Sequence, residues 1–247
     1  MKFKAFIFGL LLSFGLPWLL AIVVPYSSMR NLDPVRYEGA EIDGADGLYL
    51  PKRSGRIKEG SEIYGAEGCY YCHTQLVRPT YAGSDLWRPD WGGLKKSADN
   101  LVDTRRETLA TDYQFEKIAH IGVMRVGHDL SNLGRRLDFH LKGNVLTPED
   151  WLYLHLYNPR DTVPYRVGSQ DIKENSTCPS KGGLFKEVSK NIAGADALHV
   201  DAPPGQAIVP TDRARALVSY LISLKKDTMN QPIPKSLNSN PSQPVAQ

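Results

Sequence analysis

The sequence predicts a mainly α protein: one membrane-spanning helix at the N-terminus, then a single helical domain with long loops. Three observations carry that expectation. Residues 5–24 contain no charged side chain. A cysteine–histidine motif at 69–73 is preceded by Gly60, Ile63 and Tyr64 at helical spacing. Far downstream, Ala214, Leu217, Val218, Leu221 and Ile222 fall at the i, i+3, i+4 and i+7 positions of a one-faced helix.

The N-terminal run from Ala5 to Val24 extends about 20 residues, enough to cross a hydrocarbon core of about 30 Å as a helix. Lys2 and Lys4 precede it, which favours a cytoplasmic N-terminus, and Trp18 and Tyr26 lie toward the far end, where amphipathic rings suit the interface. A cleaved signal would carry an apolar core of about 7–15 residues and a small-x-small site. Ile22-Val23-Val24-Pro25-Tyr26 offers no such site, so an anchor is expected over residues 1–26. Pro17 inside it is a candidate kink. Residues 27–58 mix Gly, Pro and charge without a helical period and read as a linker, either a spacer or a strip lying along a partner. The domain is expected to open near Glu59 and to span 59–228. Pro210 and Thr211 mark the start of its last helix, with Thr211 as N-cap. Lys225 and Lys226 suit the last turn of that helix, near the negative end of its dipole. Residues 229–247 are rich in Pro, Asn, Ser and Gln and read as a disordered tail.

Over 247 residues the net charge is only +3, with signs intermixed, so nothing indicates a nucleic-acid partner. With 3 cysteines a disulfide scaffold is not expected. Cys69, Tyr70, Tyr71, Cys72 and His73 spell C-x-x-C-H, the attachment signature of a c-type haem. Two thiols at i and i+3 can each add to one vinyl group, and the adjacent imidazole reaches the iron. The competing reading is half of a zinc site, which would need a second Cys or His pair, and only Cys178 remains. Two helices bracketing such a motif suggest the crossing pair of small cytochromes c. Gly60 would allow close approach there, and Tyr64 or Tyr220 would fill the crossing.

The run from Glu62 to Pro79, Glu-Ile-Tyr-Gly-Ala-Glu-Gly-Cys-Tyr-Tyr-Cys-His-Thr-Gln-Leu-Val-Arg-Pro, resembles the mono-haem subunit II of cbb3-type cytochrome c oxidases. Arg125-Val126-Gly127-His128-Asp129-Leu130 through Gly134 is similar to that family's R-x-G-P-D-L-x-x-x-G. Glu149-Asp150-Trp151 followed by His155-Leu156-Tyr157-Asn158-Pro159-Arg160 is similar to a third block. The resemblance covers most of residues 5–226. It implies a cytochrome c-like domain with one covalent haem c held by Cys69, Cys72 and His73. It implies a single-pass protein of the bacterial inner membrane with its haem domain in the periplasm. It also implies electron transfer from a cytochrome donor to a catalytic haem-copper subunit, within a complex holding other oxidase subunits. The chain itself carries no histidine set for reducing oxygen. A nitric oxide reductase cytochrome subunit, and a haem-based gas or redox sensor with an open distal site, are the alternatives.

Two departures from the family pattern stand out. His128 occupies the position of a proline whose carbonyl orients the proximal histidine; a carbonyl remains, but without the ring to fix it. His128 as an iron ligand is a minor alternative. The distal methionine is missing as well. Of 4 methionines (Met1, Met29, Met124 and Met229) none lies in the expected stretch, where Ser176-Thr177-Cys178-Pro179 follows an apparent insertion at 166–175. Cys178 takes the methionine's slot, and thiolate is a known axial haem ligand. An open or water-bound iron, or ligation by Met124, His140 or His199, are the other readings; His155 reads as a packing or hydrogen-bonding residue. Arg78 is expected either to pair with a haem propionate or to lie at the surface. Trp87 and Trp91 either wall the haem edge or serve packing. The pairs Arg105-Arg106 and Arg135-Arg136 carry little information.

Overall fold

A computed structural model describes residues 3–30, 53–88, 91–98, 103–113, 116–141, 146–160, 166–167, 170–171 and 176–227. The expected linker, but for its two ends, and the expected tail at 229–247 lie outside the described residues. The chain divides into two units, residues 1–49 with 233–247 and residues 50–232. The described part of the first unit is one helix, α1 (Phe3–Met29).

α1 has a mean hydropathy of 2.4 over its most apolar stretch and is long and apolar enough to span a membrane. Its 27 residues reach about 40 Å at 1.5 Å per residue, beyond the bilayer core of about 30 Å. Its large apolar side chains, among them Phe8, Leu11, Phe14, Trp18 and Ile22, are exposed, as lipid-facing side chains are. Helical geometry passes through Pro17, which is flanked by π-helical turns at Leu11–Gly15 and Leu19–Val23. Such turns redistribute backbone hydrogen bonds around a residue that has no N–H to give.

The second unit contains α2 (Gly55–Ala66), α3 (Cys69–Cys72), α4 (Leu133–His140), α5 (Pro148–Tyr157), β1 (Arg166–Val167), β2 (Gln170–Asp171), β3 (Phe185–Ser189), α6 (Lys190–Ala193), β4 (Gln206–Pro210) and α7 (Asp212–Ile222). About half of the described residues are helical. The two small antiparallel ribbons, β1 with β2 and β3 with β4, were not expected. β3 pairs along its length, from Phe185↔Pro210 to Ser189↔Gln206. Neither ribbon is long enough to print a strand period on the sequence.

Local chemistry sets the ends of the helices. The Ser54 hydroxyl accepts from the Ile57 N–H and starts α2 at Gly55, four residues ahead of the expected opening at Glu59. The Thr211 side chain caps α7 by accepting from Ala214 N–H, as expected, and its hydroxyl donates to the Leu184 carbonyl at 2.7 Å. α5 opens with a reciprocal capping box between Thr147 and Asp150. α7 stops at Ile222, so Lys225 and Lys226 lie past its last turn rather than in it. Lys225 pairs with Asp138 on α4, and Lys226 is buried.

α2 packs against α7 across Gly60. A Cβ there would stand 2.1 Å from the Ala216 carbonyl oxygen and 2.6 Å from Tyr220 Cβ. Tyr64 and Tyr220 fill the contact, both fully buried with ring centroids 5.6 Å apart. α4 meets the end of α7 in the same way: a Cβ on Gly134 would stand 1.9 Å from the Ile222 carbonyl oxygen. Leu137, Trp151, Leu152, Leu184, Ile208 and Leu217 complete the core. Burying each such aliphatic side chain contributes about 1.5–3 kcal/mol, against helix-propensity differences of at most about 0.7 kcal/mol per ordinary residue. Packing, not propensity, therefore holds α7 in place.

Gly60→Ala is expected to destabilise the detergent-solubilised chain by about 1–3 kcal/mol, because the new methyl group overpacks a backbone contact. Gly55→Ala, which meets nothing within 4 Å, serves as control and should leave the urea midpoint nearly unchanged.

Candidate functional site

The site is built where α2 hands over to α3. The chain leaves α2 through Gly68, whose φ of 71° is left-handed backbone that glycine adopts without strain. α3 is a single turn, so Cys69 and Cys72 come out on one face. Both are half-buried free thiols. Burial pushes the Cys69 thiol up to about 12; Lys181 opposes this, while Cys178 and Glu67 add to it.

His73 follows in extended backbone. Its Nδ1 lies 2.8 Å from the His128 carbonyl oxygen. A carbonyl only accepts, so Nδ1 carries the proton and Nε2 is left with a free lone pair. Burial lowers the His73 pKa below its ordinary value, which keeps the ring neutral; the bond to His128 works the other way. A neutral imidazole held in place through Nδ1 is the form that binds a metal through Nε2.

The residues that hold this geometry come from the 120–131 segment, which runs alongside the motif. Gln75 N–H donates to Ile121, Val123 N–H to Tyr70 and Gly127 N–H to Cys72, at 2.9–3.0 Å. Two glycines make the approach possible. A Cβ at Gly127 would stand 2.2 Å from His73 Cε1, and one at Gly122, where φ is 95°, 2.3 Å from the His73 carbonyl oxygen.

Asp129 then locks the segment. Its buried carboxylate accepts from Thr74 Oγ1 at 2.6 Å and from the N–H groups of Leu76 and Ser131 at 2.8 Å each. The carbonyl at 128 is thus fixed by its neighbours on both sides, without the proline ring. The His128 side chain itself is exposed, its ring centroid 6.4 Å from that of Trp91.

The loop carrying Cys178 is fastened on the Cys69 side. Lys181 N–H donates to Leu156 at 2.8 Å, Lys181 Nζ to the Glu67 carbonyl at 2.7 Å, and Ser180 Oγ to the Tyr157 carbonyl. Cys178 is half-buried, with Sγ 3.6 Å from the Pro179 carbonyl oxygen. His155 stacks on Trp151 at 4.9 Å with an interplanar angle of 10°. Burial lowers the His155 pKa to about 4, and His73 and His128 press the same way, which puts His155 in their neighbourhood. The structure therefore brings Cys69, Cys72, His73, Cys178 and His155 into one region. Met124 and His199 are exposed, and His140 lies at the end of α4 with its ring against Phe139.

Arg78 meets the carboxylate of Asp85 two-pronged, a partner not expected from the sequence: Nε and Nη2 reach it at 3.1 and 2.9 Å. Arg125 reaches the same carboxylate at 2.6 Å and stacks over Trp91 at 5.1 Å. Burial alone would raise the Asp85 pKa; the two arginines outweigh it and hold the carboxyl well below its ordinary range. Trp91 is packed in the interior, while Trp87 is exposed under Arg105.

Among the described residues, no group of three or more His, Cys, Asp or Glu side chains is placed to hold a metal ion by itself. The zinc reading of Cys69 and Cys72 has no ligand set there. A porphyrin supplies four ligands of its own and asks the chain for only one or two. Gly127 and Asp129 carry no local sequence signal for their roles, which depend on contacts with residues more than 50 positions away. A scan against protein-family models found no match, and neither did a comparison with curated proteins.

Asp129→Asn keeps the shape but turns one acceptor into a donor facing N–H groups. The expected loss is about 1–3 kcal/mol, read as a lower urea midpoint. It should be accompanied by loss of slow hydrogen exchange at the Leu76 and Ser131 amides.

Proposed function

We propose that this chain is a membrane-anchored c-type cytochrome, the mono-haem subunit II of a cbb3-type terminal oxidase, passing electrons to a catalytic haem-copper subunit. The observation that carries the reading is the orientation of His73: its Nδ1–H is spent on the His128 carbonyl, and its Nε2 is left free beside two thiols on one turn. The residues present fit a haem c. Cys69 and Cys72 would form the two thioethers, His73 would be the proximal ligand, and Cys178 the distal one. When bound, that group supplies one-electron transfer at a potential set by its axial ligands, hydrogen bonds and burial.

The chain's own work is orientation and tuning. Gly127 and Asp129 hold the imidazole in one pose, and burial keeps it neutral. Lys181 ties the Cys178 loop to the Glu67 carbonyl, two residues before Cys69. Arg78 and Arg125 together leave one positive charge uncompensated by Asp85, on the Trp91 side of the motif. α1 anchors the domain to the bacterial inner membrane, and Lys2 and Lys4 orient the rest into the periplasm. The partners are the catalytic haem-copper subunit, the other oxidase subunits and a cytochrome donor. Electron transfer, not oxygen reduction, is the task of this chain.

A reporter active only outside the cytoplasm, fused after Gln247, should be active, and the fusion should carry a haem stain that survives denaturing electrophoresis. The Cys69→Ser, Cys72→Ser double variant should lose the stain and keep the reporter activity. A stain that persists in the double variant would sink the assignment.

The distal ligand is tested separately. Cys178 as thiolate predicts a low-spin ferric spectrum with a thiolate-type EPR signature and a potential below that of His/Met relatives. Cys178→Ala should become high-spin and bind carbon monoxide readily. An unchanged spectrum and potential in Cys178→Ala would remove Cys178 from the coordination sphere.

A further inference from the structure

Lys226 has no part in that reading, and its placement is costly. Its side chain is 4% exposed, and among the described residues Nζ makes no hydrogen bond. Nζ lies 3.6 Å from Glu116 Oε1 and 3.8 Å from the ring centroid of Tyr113. The Glu116 side chain is 3% exposed and also meets Arg53 Nη2 at 3.0 Å. Two cations thus share one buried carboxylate, an arrangement whose desolvation cost pairing repays only in part.

Burial is the main cause lowering the Lys226 pKa to about 8. Arg53 adds to the shift, while Glu116, Asp112 and Asp129 oppose it. Among the described residues, Tyr113 and Tyr220 also border the cluster, with their hydroxyls pushed above the ordinary range by burial. The adjacent Asp227 is engaged by Thr104 and Arg135.

The cluster is closed to solvent, but a cavity lies against its wall. A cavity of about 540 Å³ is lined by Arg53, Ser61, Glu62, Glu116, Lys117 and His120. Neither Glu116 carboxylate oxygen nor the amine 3.6 Å away is itself exposed to solvent, so the cavity ends one side-chain layer short of the charges. On its other side the cluster joins the clamp that orients His73. Lys226 N–H donates to the Ser131 carbonyl at 3.2 Å, Ser131 N–H donates to Asp129, and Asp129 accepts from Thr74, the residue after His73. Tyr113, whose ring faces Nζ, donates its hydroxyl to the Gln75 carbonyl. The charge state of Lys226 and the charge at the His73 site act on the same buried carboxylate, Asp129.

We propose that Lys226, with Glu116 and Arg53, is a proton-binding site coupled to the oxidation state of the site at His73. This rests on the electron-transfer reading above. One electron arriving from the donor lowers the positive charge near Asp129. One proton from bulk water then adds to the Lys226 amine. When the electron moves on to the partner subunit, the proton returns to water. His120 also faces the cavity, but burial lowers its pKa below its ordinary 6.5, so its titration falls in a separate, more acidic window.

The test is a redox titration of the full-length chain in detergent between pH 6 and 10, with Lys226→Arg and Lys226→Gln beside it. Titration of Lys226 by NMR of side-chain-labelled lysine accompanies it. The wild-type potential should fall with rising pH across a window centred near 8 and level off on both sides. Lys226→Arg, with a fixed charge, should stay at the upper plateau throughout, and Lys226→Gln at the lower one. A flat wild-type profile, or variants that keep the same sloping window, would overturn the coupling. A Lys226 resonance that titrates only at the ordinary lysine pH would overturn the site itself. A chain that holds no redox-active group overturns the electron-transfer reading and the coupling with it, and a Lys226 titration near 8 in that chain leaves the proton site standing on its own.

Discussion

Asp129 is the residue on which the candidate site depends. A carboxylate with no exposure to water must have its lone pairs satisfied, and three donors converge on this one: a hydroxyl and two backbone amides. Hydrogen bonds to charged groups contribute about 1.5–3 kcal/mol each, so together they offset the desolvation of a single carboxylate. The result is a clamp between the chain just after His73 and the chain just after His128. The His73 imidazole inherits its orientation from that clamp, because the carbonyl it donates to sits one residue before Asp129.

The clamp needs a rigid frame, and the frame is the contact of α2 with α7. At Gly60 the two backbones approach closer than any side chain would allow, and the two buried tyrosines on either side fix the pose. Tyr220 also reaches inward, donating its hydroxyl to Gln75 Oε1 at 3.1 Å. One residue thereby serves both the helix contact and the segment that carries His73. On the opposite flank Glu67 receives Lys181 and Arg213, which brings the Cys178 loop and the start of α7 onto the end of α2.

Around this frame the domain buries more charge than stability asks for. Asp85 takes two arginines, Glu116 takes an arginine and a lysine, and Asp112 pairs with Arg106. Buried pairs of this kind are often no more stable than apolar packing of the same volume. Their effect is on the electrostatic environment of the motif. On the function proposed above, an excess of positive charge favours the reduced form of the bound group, and the Lys226 site proposed above makes that preference adjustable.

Some of this was written locally in the chain. The apolar run fixes α1, because lipid-spanning length and the absence of charge are properties of consecutive residues. The C-x-x-C-H turn, the Thr211 cap, the buried face of α7 and the small residue at Gly60 are likewise readable, since each is a pattern within a dozen positions. The start of α2 at Gly55 is harder to read, because its Ser54 cap sits in a loop-like composition. What tertiary structure alone decided are the partners of the charges. Arg78 finds Asp85 by a local turn, but Arg125 reaches it from 40 positions away, and Lys226 meets Glu116 across a still longer separation. No periodicity encodes such encounters. A lysine after a helix reads as a solvated cation until the fold brings a carboxylate, a tyrosine ring and a second cation around it and shuts out the water.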